Sequence, residues 1–483
     1  MFTKIKIFLL SNKNINQVLV KNTFWLAFGE ITGRLLKLII IFYAIRILGV
    51  SDWGTFSYVI SLCGLFMIFS DIGLASILTR ELAKNETEKN KYIATSFSIK
   101  IILNILIFTL IILFAPLFAK DNLSLTLIPL VGLLMVFEGI RDFTFAINRS
   151  MEKMEVEAFV KIITNLLIIL FAYIFLVNSK TVFSLALGYM LGSLSGMIFT
   201  LIIFRKYLKN MIKNFSKDLI KPLIIIAWPF SFFAILGSVM SNTDVVMLGW
   251  IKGTREVGFY ATSQRIIAFL YIIPGLLTSS LLPTLSKEIR DKEKIKNVVH
   301  SLIKIVYLFS IPVIFGGLVI GDNLIIKLFG SEYIPTISIF QVSLLSILFV
   351  SPALIFNSII FIFNKHSSII KISFIGTIMN ILINILLIPK YGGIGASIAT
   401  LISQFVIMIL IKKELGKIIE LKIFSGLFKI ILASILMSIF LYILKYLNLN
   451  LYLLIILAIF LYFIILIKIK EESLFKIKNI FKQ

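Results

Sequence analysis

The 483-residue sequence has one cysteine, Cys63, and two histidines, His300 and His366. One cysteine excludes an intrachain disulfide, and the two histidines stand on separate segments with no metal-ligand spacing around them. Both read as solvated residues. Cys63 sits in an apolar segment and reads as packing filler. No GxxxxGK[ST] loop occurs, so the chain has no Walker-type nucleotide site of its own. Charged residues are also scarce, at 15% against about 25% in soluble domains. The bases outnumber the acids by 48 to 24, yet they are scattered between apolar blocks and form no basic domain, which excludes nucleic acid as a partner. The longest outer connection, around residues 321–334, offers only Asp322, Lys327 and Glu332. Catalysis of glycan transfer or polymerisation has no loop to occupy, and the chain does not read as an enzyme.

Apolar residues are abundant. They make up 59% of the chain, the mean hydropathy is +1.03, and they come in blocks of about 20, enough to span roughly 30 Å of hydrocarbon. The expected fold class is an all-α integral membrane protein, multi-pass in a bilayer. About fourteen spans are expected, near 22–45, 55–79, 92–118, 124–148, 157–177, 182–204, 222–250, 258–284, 298–320, 335–363, 368–388, 393–411, 424–444 and 450–467. Met1 to Leu10 is basic and apolar without a cleavage site, so an interfacial helix is expected there rather than a signal peptide. With the N-terminus cytoplasmic, the inner connections and tails hold 31 Lys/Arg and the outer ones 8. That asymmetry places both termini in the cytoplasm.

The two halves echo one another. Gly188, Gly192 and Gly196 in the sixth span are followed by Arg205-Lys206; Gly395, Ala399 and Ser403 in the twelfth are followed by Lys412-Lys413. Small residues four apart let helices approach closely in lipid. Leu48-Gly49 before Gly54-Thr55-Phe56 matches Leu248-Gly249 before Gly258-Phe259-Tyr260, and Asn165 matches Asn380. Six spans separate the partners, so the repeat is parallel. The expected organisation is a cytoplasmic segment 1–21, a six-helix lobe 22–211, a pseudo-symmetric second lobe 212–415, two added helices in 416–468 and a cytoplasmic tail 469–483.

Charges inside spans are costly and usually face a bundle interior or a wet cavity. Glu30, Arg34 and Lys37 share one helical face at i, i+4 and i+7. Glu30 can pair with Arg34, which leaves Lys37 over. Lys100, Arg141 and Arg265 add cations, Asp71, Glu138, Asp142 and Asp244 add acids, and Lys304 and Lys429 read as snorkelling. Lys161 and Lys371 are open between snorkelling and facing inward. These named charges total nine basic against five acidic, which suits a cavity for an anionic headgroup. Pro229, Pro274, Pro312 and Pro352 in the second half are expected kink sites.

Several stretches resemble the Wzx-type polysaccharide flippases of the multidrug/oligosaccharidyl-lipid/polysaccharide exporter superfamily. They are AIRILGVSDWGTFSYV (44–59), DIGLASILTRELAKN (71–85), INRSMEKMEVEAFVKI (147–162) and SNTDVVMLGWIKGTREVGFYATSQRI (241–266). The resemblance implies a MATE-like fold and movement of an undecaprenyl-pyrophosphate-linked oligosaccharide across the cytoplasmic membrane by alternating access. Glycosyltransferases and a glycan polymerase are its implied pathway partners. Arg34, Lys37, Lys100, Arg141 and Arg265 are the candidate substrate-binding cations. Glu30, Asp71 and Asp244 are the acids to examine for structure or for H+ or Na+ coupling; no bound cofactor is implied. A lipid II flippase shares the fold class, but FGEITGRLLK (28–37) lacks that family's early Arg-Asp element. A MATE-type drug exporter would carry acidic rather than basic cavity residues.

Overall fold

The computed structural model describes residues 15–84, 88–272, 274–275, 292–419, 426–447 and 449–471, which form helices with no strand among them. The expected interfacial helix, most of the C-terminal tail and the end of the expected eighth span lie outside the described residues. The principal helices are α1 (Ile15–Met67), α2 (Leu74–Lys84), α3 (Lys89–Phe118), α4 (Asn122–Ser150), α5 (Met154–Asn178), α6 (Val182–Ile203) and α7 (Ile220–Lys252). They continue as α8 (Thr254–Leu270), α9 (Lys292–Phe329), α10 (Thr336–Leu345), α11 (Ile347–Ile362), α12 (His366–Gly416), α13 (Phe428–Lys445) and α14 (Leu451–Lys468). In lipid every backbone amide must be paired within its segment, which is why the apolar blocks are helical. Their starts are marked locally. The Asp121 carboxylate accepts from the Ser124 amide at 2.6 Å ahead of α4, and Thr181 does the same for Ser184 at 3.3 Å ahead of α6.

Ten described helices are long and apolar enough to cross a membrane, or eleven with the bent pair Gln17–Ser70 and Leu74–Leu82 taken as one span. The figure is below the expected fourteen for a visible reason. α12 carries two expected spans, α1 carries the first and most of the second, and the eighth is only partly described. The chain is a multi-pass membrane protein.

Within the described helices, two sharp breaks fall at glycine. α1 leaves helical geometry at Gly49 (φ 76°, ψ 177°) and α12 at Gly392 (φ 56°, ψ −131°), both in the region that favours glycine. The arms of α12 fold back on one another, with the Asn380 amide 3.5 Å from the Thr400 hydroxyl and Gly376 against Ile407. The arms of α1 also reverse. The first runs parallel to α5 (Gly29 on Ala158, Tyr43 on Tyr173), and the second, continued by α2, runs parallel to α4 (Cys63 on Ile128, Thr79 of α2 on Ala146). α4 and α5 are themselves antiparallel, as the contacts of Phe145 with Lys161 and of Arg149 with Glu157 show. By contrast α9 runs unbroken through Pro312, and the interruption between α10 and α11 falls at Ser346, six residues before Pro352.

Two compact units divide the chain, Met1–Gly258 and Phe259–Gln483. In the first, α5 and α6 pack backbone to backbone. A Cβ on Gly188, Gly192 or Gly196 would lie 2.3, 2.5 or 2.2 Å from Ala172, Ile168 and Thr164 respectively. α7 belongs to this unit, its Gly249 under the Tyr58 ring and its Ser238 hydroxyl donating to the Gly64 carbonyl at 3.3 Å. In the second unit a hydroxyl chain ties α8, α10 and α12. Gln264 donates to Ser343 at 3.3 Å, Ser343 lies 2.9 Å from Ser397, and Tyr271 lies 2.7 Å from Ser346. Beside it, α9, α13 and α14 enclose an apolar cavity of about 460 Å³ lined by Leu308, Pro312, Met437 and Tyr462 among others.

Candidate functional site

Five segments of the first unit bring their charges to one place: the first arm of α1, the turn at Asp71 that precedes α2, and the helices α3, α4 and α5. The spacing in α1 puts Glu30 and Arg34 one turn apart, and the Arg34 guanidinium donates to the Glu30 carboxylate at 2.7 Å. The second Glu30 oxygen lies 3.3 Å from the Lys161 ammonium of α5. Lys161 is also 3.0 Å from Glu157, one turn back on its own helix. Glu157 is fully buried and takes two further bonds from Arg149, at 2.8 and 2.7 Å. The result is an alternating line of charge, Arg34–Glu30–Lys161–Glu157–Arg149, across three helices.

A second set crosses it on α4. Lys37 lies 4.0 Å from Glu138 and 5.7 Å from the Tyr189 ring centre. The buried Arg141 donates to one oxygen of Asp142 at 2.9 and 2.8 Å. Lys100, also buried, donates to the Ser70 hydroxyl at 3.2 Å and stands 3.7 Å from Asp71. Burial of such charges is tolerable only because each has a partner.

These residues line two cavities. The smaller, about 240 Å³, is bounded by Glu30, Arg34, Lys37, Glu138, Arg141 and Lys161, with Gly29, Gly33 and Asn165 completing it. The larger, about 400 Å³, includes Asp71, Lys100, Glu138, Asp142, Arg149 and Lys161. Glu138 and Lys161 belong to both. Gly33 keeps the first arm of α1 close to α5, since a Cβ there would meet the Asn165 amide at 3.1 Å.

Of the eight candidate residues, six come together here: Glu30, Arg34, Lys37, Asp71, Lys100 and Arg141. Asp244 is buried on α7 but lines neither cavity, and Arg265 is a half-buried residue of α8 in the second unit. Lys37 is not left over as its spacing on α1 suggested, because the carboxylate that faces it comes from α4. Lys161 turns inward, whereas Lys371 is exposed. Glu157 and Arg149 went unrecognised because they sit at the edge of expected spans. The i, i+4 spacing of Glu157 and Lys161 was the available signal. No group of three or more His, Cys, Asp or Glu side chains that could hold a metal ion occurs among the described residues.

The family described as polysaccharide biosynthesis protein matches residues 19–289, more than half of the chain and all of the segment that builds both cavities. The chain belongs to this family. The MatE family matches residues 229–389. Among its relatives, capsular polysaccharide biosynthesis protein CapF of Staphylococcus aureus is 26% identical over 81% of this chain and 98% of its own. A Haloferax volcanii protein named probable low-salt glycan biosynthesis flippase Agl15 is 24% identical over 84% of this chain and 85% of its own. A solved structure of lipid II flippase MurJ in an inward closed conformation aligns with TM-score 0.77 over 94% of this chain and 98% of that one, at 18% identity. That likeness shows the fold: an all-α membrane protein of the MurJ and MATE transporter type.

Proposed function

We propose that the chain is a flippase for a polyprenyl-pyrophosphate-linked oligosaccharide, moving it from the cytoplasmic to the outer leaflet of the cell membrane for polysaccharide biosynthesis. The observation that carries this reading is the smaller cavity, where four cations, Arg34, Lys37, Arg141 and Lys161, face two carboxylates, Glu30 and Glu138. Fixed cations in a low-dielectric cleft attract a pyrophosphate strongly, and a guanidinium binds it through paired hydrogen bonds. The names of the family and of the relatives supply the glycan; the excess of basic residues in inner connections supplies the direction, with both termini cytoplasmic. Glycosyltransferases would supply such a substrate and a polymerase would consume it. Of the acids to examine for structure or for H+ or Na+ coupling, Glu30 and Asp71 line the cavities and Asp244 does not.

The test is reconstitution into liposomes with a fluorescent undecaprenyl-pyrophosphoryl oligosaccharide, scoring its accessibility to an external quencher. Wild-type protein should equilibrate the lipid between leaflets, and Arg34→Ala with Lys37→Ala should abolish this at unchanged protein level. Normal flipping by the double variant removes both residues from the mechanism. Transport of lipid II instead would make the chain a peptidoglycan-precursor flippase. Transport of a cationic drug with no lipid movement would make it an exporter.

A further inference from the structure

We propose that the two cavities of the first unit divide one substrate between them: the smaller takes the pyrophosphate and the larger holds the first sugar ring, through hydroxyl groups donating to Asp142 and Asp71. The inference rests on the flippase reading above. The cavities share Glu138 and Lys161 in their walls, so a group bound in one lies beside a group bound in the other. In a glycosyl pyrophosphate a single oxygen joins sugar to phosphate, so the two subsites have to be adjacent. The partition also includes Phe145, over whose ring the Arg141 guanidinium and Lys161 ammonium stand at 5.9 and 5.6 Å from the centre.

Charge separates the two subsites. The smaller cavity has twice as many cations as carboxylates. The larger balances Lys100, Arg149 and Lys161 against Asp71, Glu138 and Asp142. A balanced pocket draws in no anion, but its carboxylates are strong acceptors for neutral hydroxyl groups. Both bonds from Arg141 fall on Oδ1 of Asp142, so neither occupies Oδ2, and this side chain is 55% exposed. Asp71, 35% exposed, stands 3.7 Å from Lys100, longer than a hydrogen bond, while that ammonium donates to Ser70 at 3.2 Å. Acceptor capacity is therefore left on the cavity side of both residues. The volume, about 400 Å³, falls within the roughly 300–1,000 Å³ of small-molecule sites.

The experiment measures binding of two lipids to full-length protein in nanodiscs, undecaprenyl pyrophosphate and undecaprenyl-pyrophosphoryl-N-acetylglucosamine. Wild-type protein should bind the sugar-bearing lipid more tightly. Asp71→Asn and Asp142→Asn should each weaken that lipid by about tenfold, the effect of losing one charge-assisted hydrogen bond, and leave the bare pyrophosphate unchanged. Asparagine at 142 keeps the oxygen that Arg141 uses, and Asp71 lies on a different segment, so each variant checks the other for misfolding. Arg34→Ala with Lys37→Ala should weaken both lipids. Equal affinity of wild-type protein for the two lipids overturns the sugar subsite and leaves the anion site standing. So does an equal loss of both in the Asp variants, or no loss of either. Binding of neither lipid overturns the flippase reading together with this one.

Discussion

Gly54 and Gly258 hold each other's chain segments at a distance that no other residue permits. A Cβ on Gly54 would lie 1.8 Å from the Thr254 carbonyl oxygen, and one on Gly258 would lie 2.1 Å from that of Val50. Just ahead of these segments, Gly49 (φ 76°, ψ 177°) and Gly253 (φ 91°, ψ 173°) adopt nearly the same extended, positive-φ geometry. Position 49 corresponds to 253, 50 to 254 and 54 to 258 at one constant offset. The two corners therefore interlock reciprocally: Gly54 meets Thr254, and their counterparts Gly258 and Val50 meet in the same way.

Because the obstruction at both glycines is backbone, which has to move for a Cβ to fit, Gly54→Ala and Gly258→Ala should each cost about 3 kcal/mol or more, the upper end for overpacking a filled site. At Gly253 a Cβ meets nothing within 4 Å, so Gly253→Ala should cost only conformational strain, about 1–3 kcal/mol. Thermal unfolding followed by size-exclusion fluorescence in detergent should rank the first two variants below the third. Equal melting of all three would mean the corners are looser than the interlock requires.

Lys161 and Lys371 are both lysines within expected spans, and their fates differ. Removing Lys161 leaves the buried Glu157 with Arg149 alone and the half-exposed Glu30 with Arg34 alone, so Lys161→Met should destabilise the protein by about 2 kcal/mol, the order of a lost hydrogen bond between charged groups. Lys371 is exposed, and Lys371→Met should change stability by less than about 0.5 kcal/mol. Chemical-denaturation midpoints of the two variants check this directly, and equal shifts would place Lys161 outside the network.

The fold class was legible in the sequence because lipid imposes one secondary structure on apolar blocks, and the glycine spacing marked a face of close helix approach, whose partner, α5, only the fold supplies. The corner match was read one turn early, pairing Gly49 with Gly249. Periodicity shows which residues recur, while the positive φ that distinguishes Gly253 exists only in the folded chain. The charges were read as a cationic surplus because helical spacing relates residues of one helix. The carboxylate that answers Lys37 and one of the two that answer Lys161 come from other helices, and no one-dimensional pattern brings Glu138 to Lys37 or Glu30 to Lys161. Proline was a poor guide to the breaks, since neighbouring helices in a bundle can hold a proline-containing helix unbroken.

Two carboxylates already occupy the cations that a pyrophosphate would use. Glu138 faces Lys37 at 4.0 Å and lines the cavity with Arg141, so an incoming phosphate competes with it. Glu138→Gln keeps the shape and removes the competing charge. Affinity for undecaprenyl pyrophosphate should rise by about tenfold, and flipping should slow as release becomes limiting. Weaker binding in this variant would show that Glu138 orders the cations rather than competing for them.

Orientation can be tested without a substrate. Cys63 is buried, so the native chain gives little background for a membrane-impermeant thiol reagent. Lys180 and Lys327 lie in connections expected to face outward, and Lys153 and Lys296 in connections expected to face the cytoplasm. Cysteine at 180 or 327 should label in intact cells, and cysteine at 153 or 296 only after permeabilisation. The reverse pattern would turn the cavities' approach from the cytoplasmic leaflet to the outer one. The direction of transport would then have to be reversed, because the pyrophosphate would reach Arg34 and Lys37 from outside the cell.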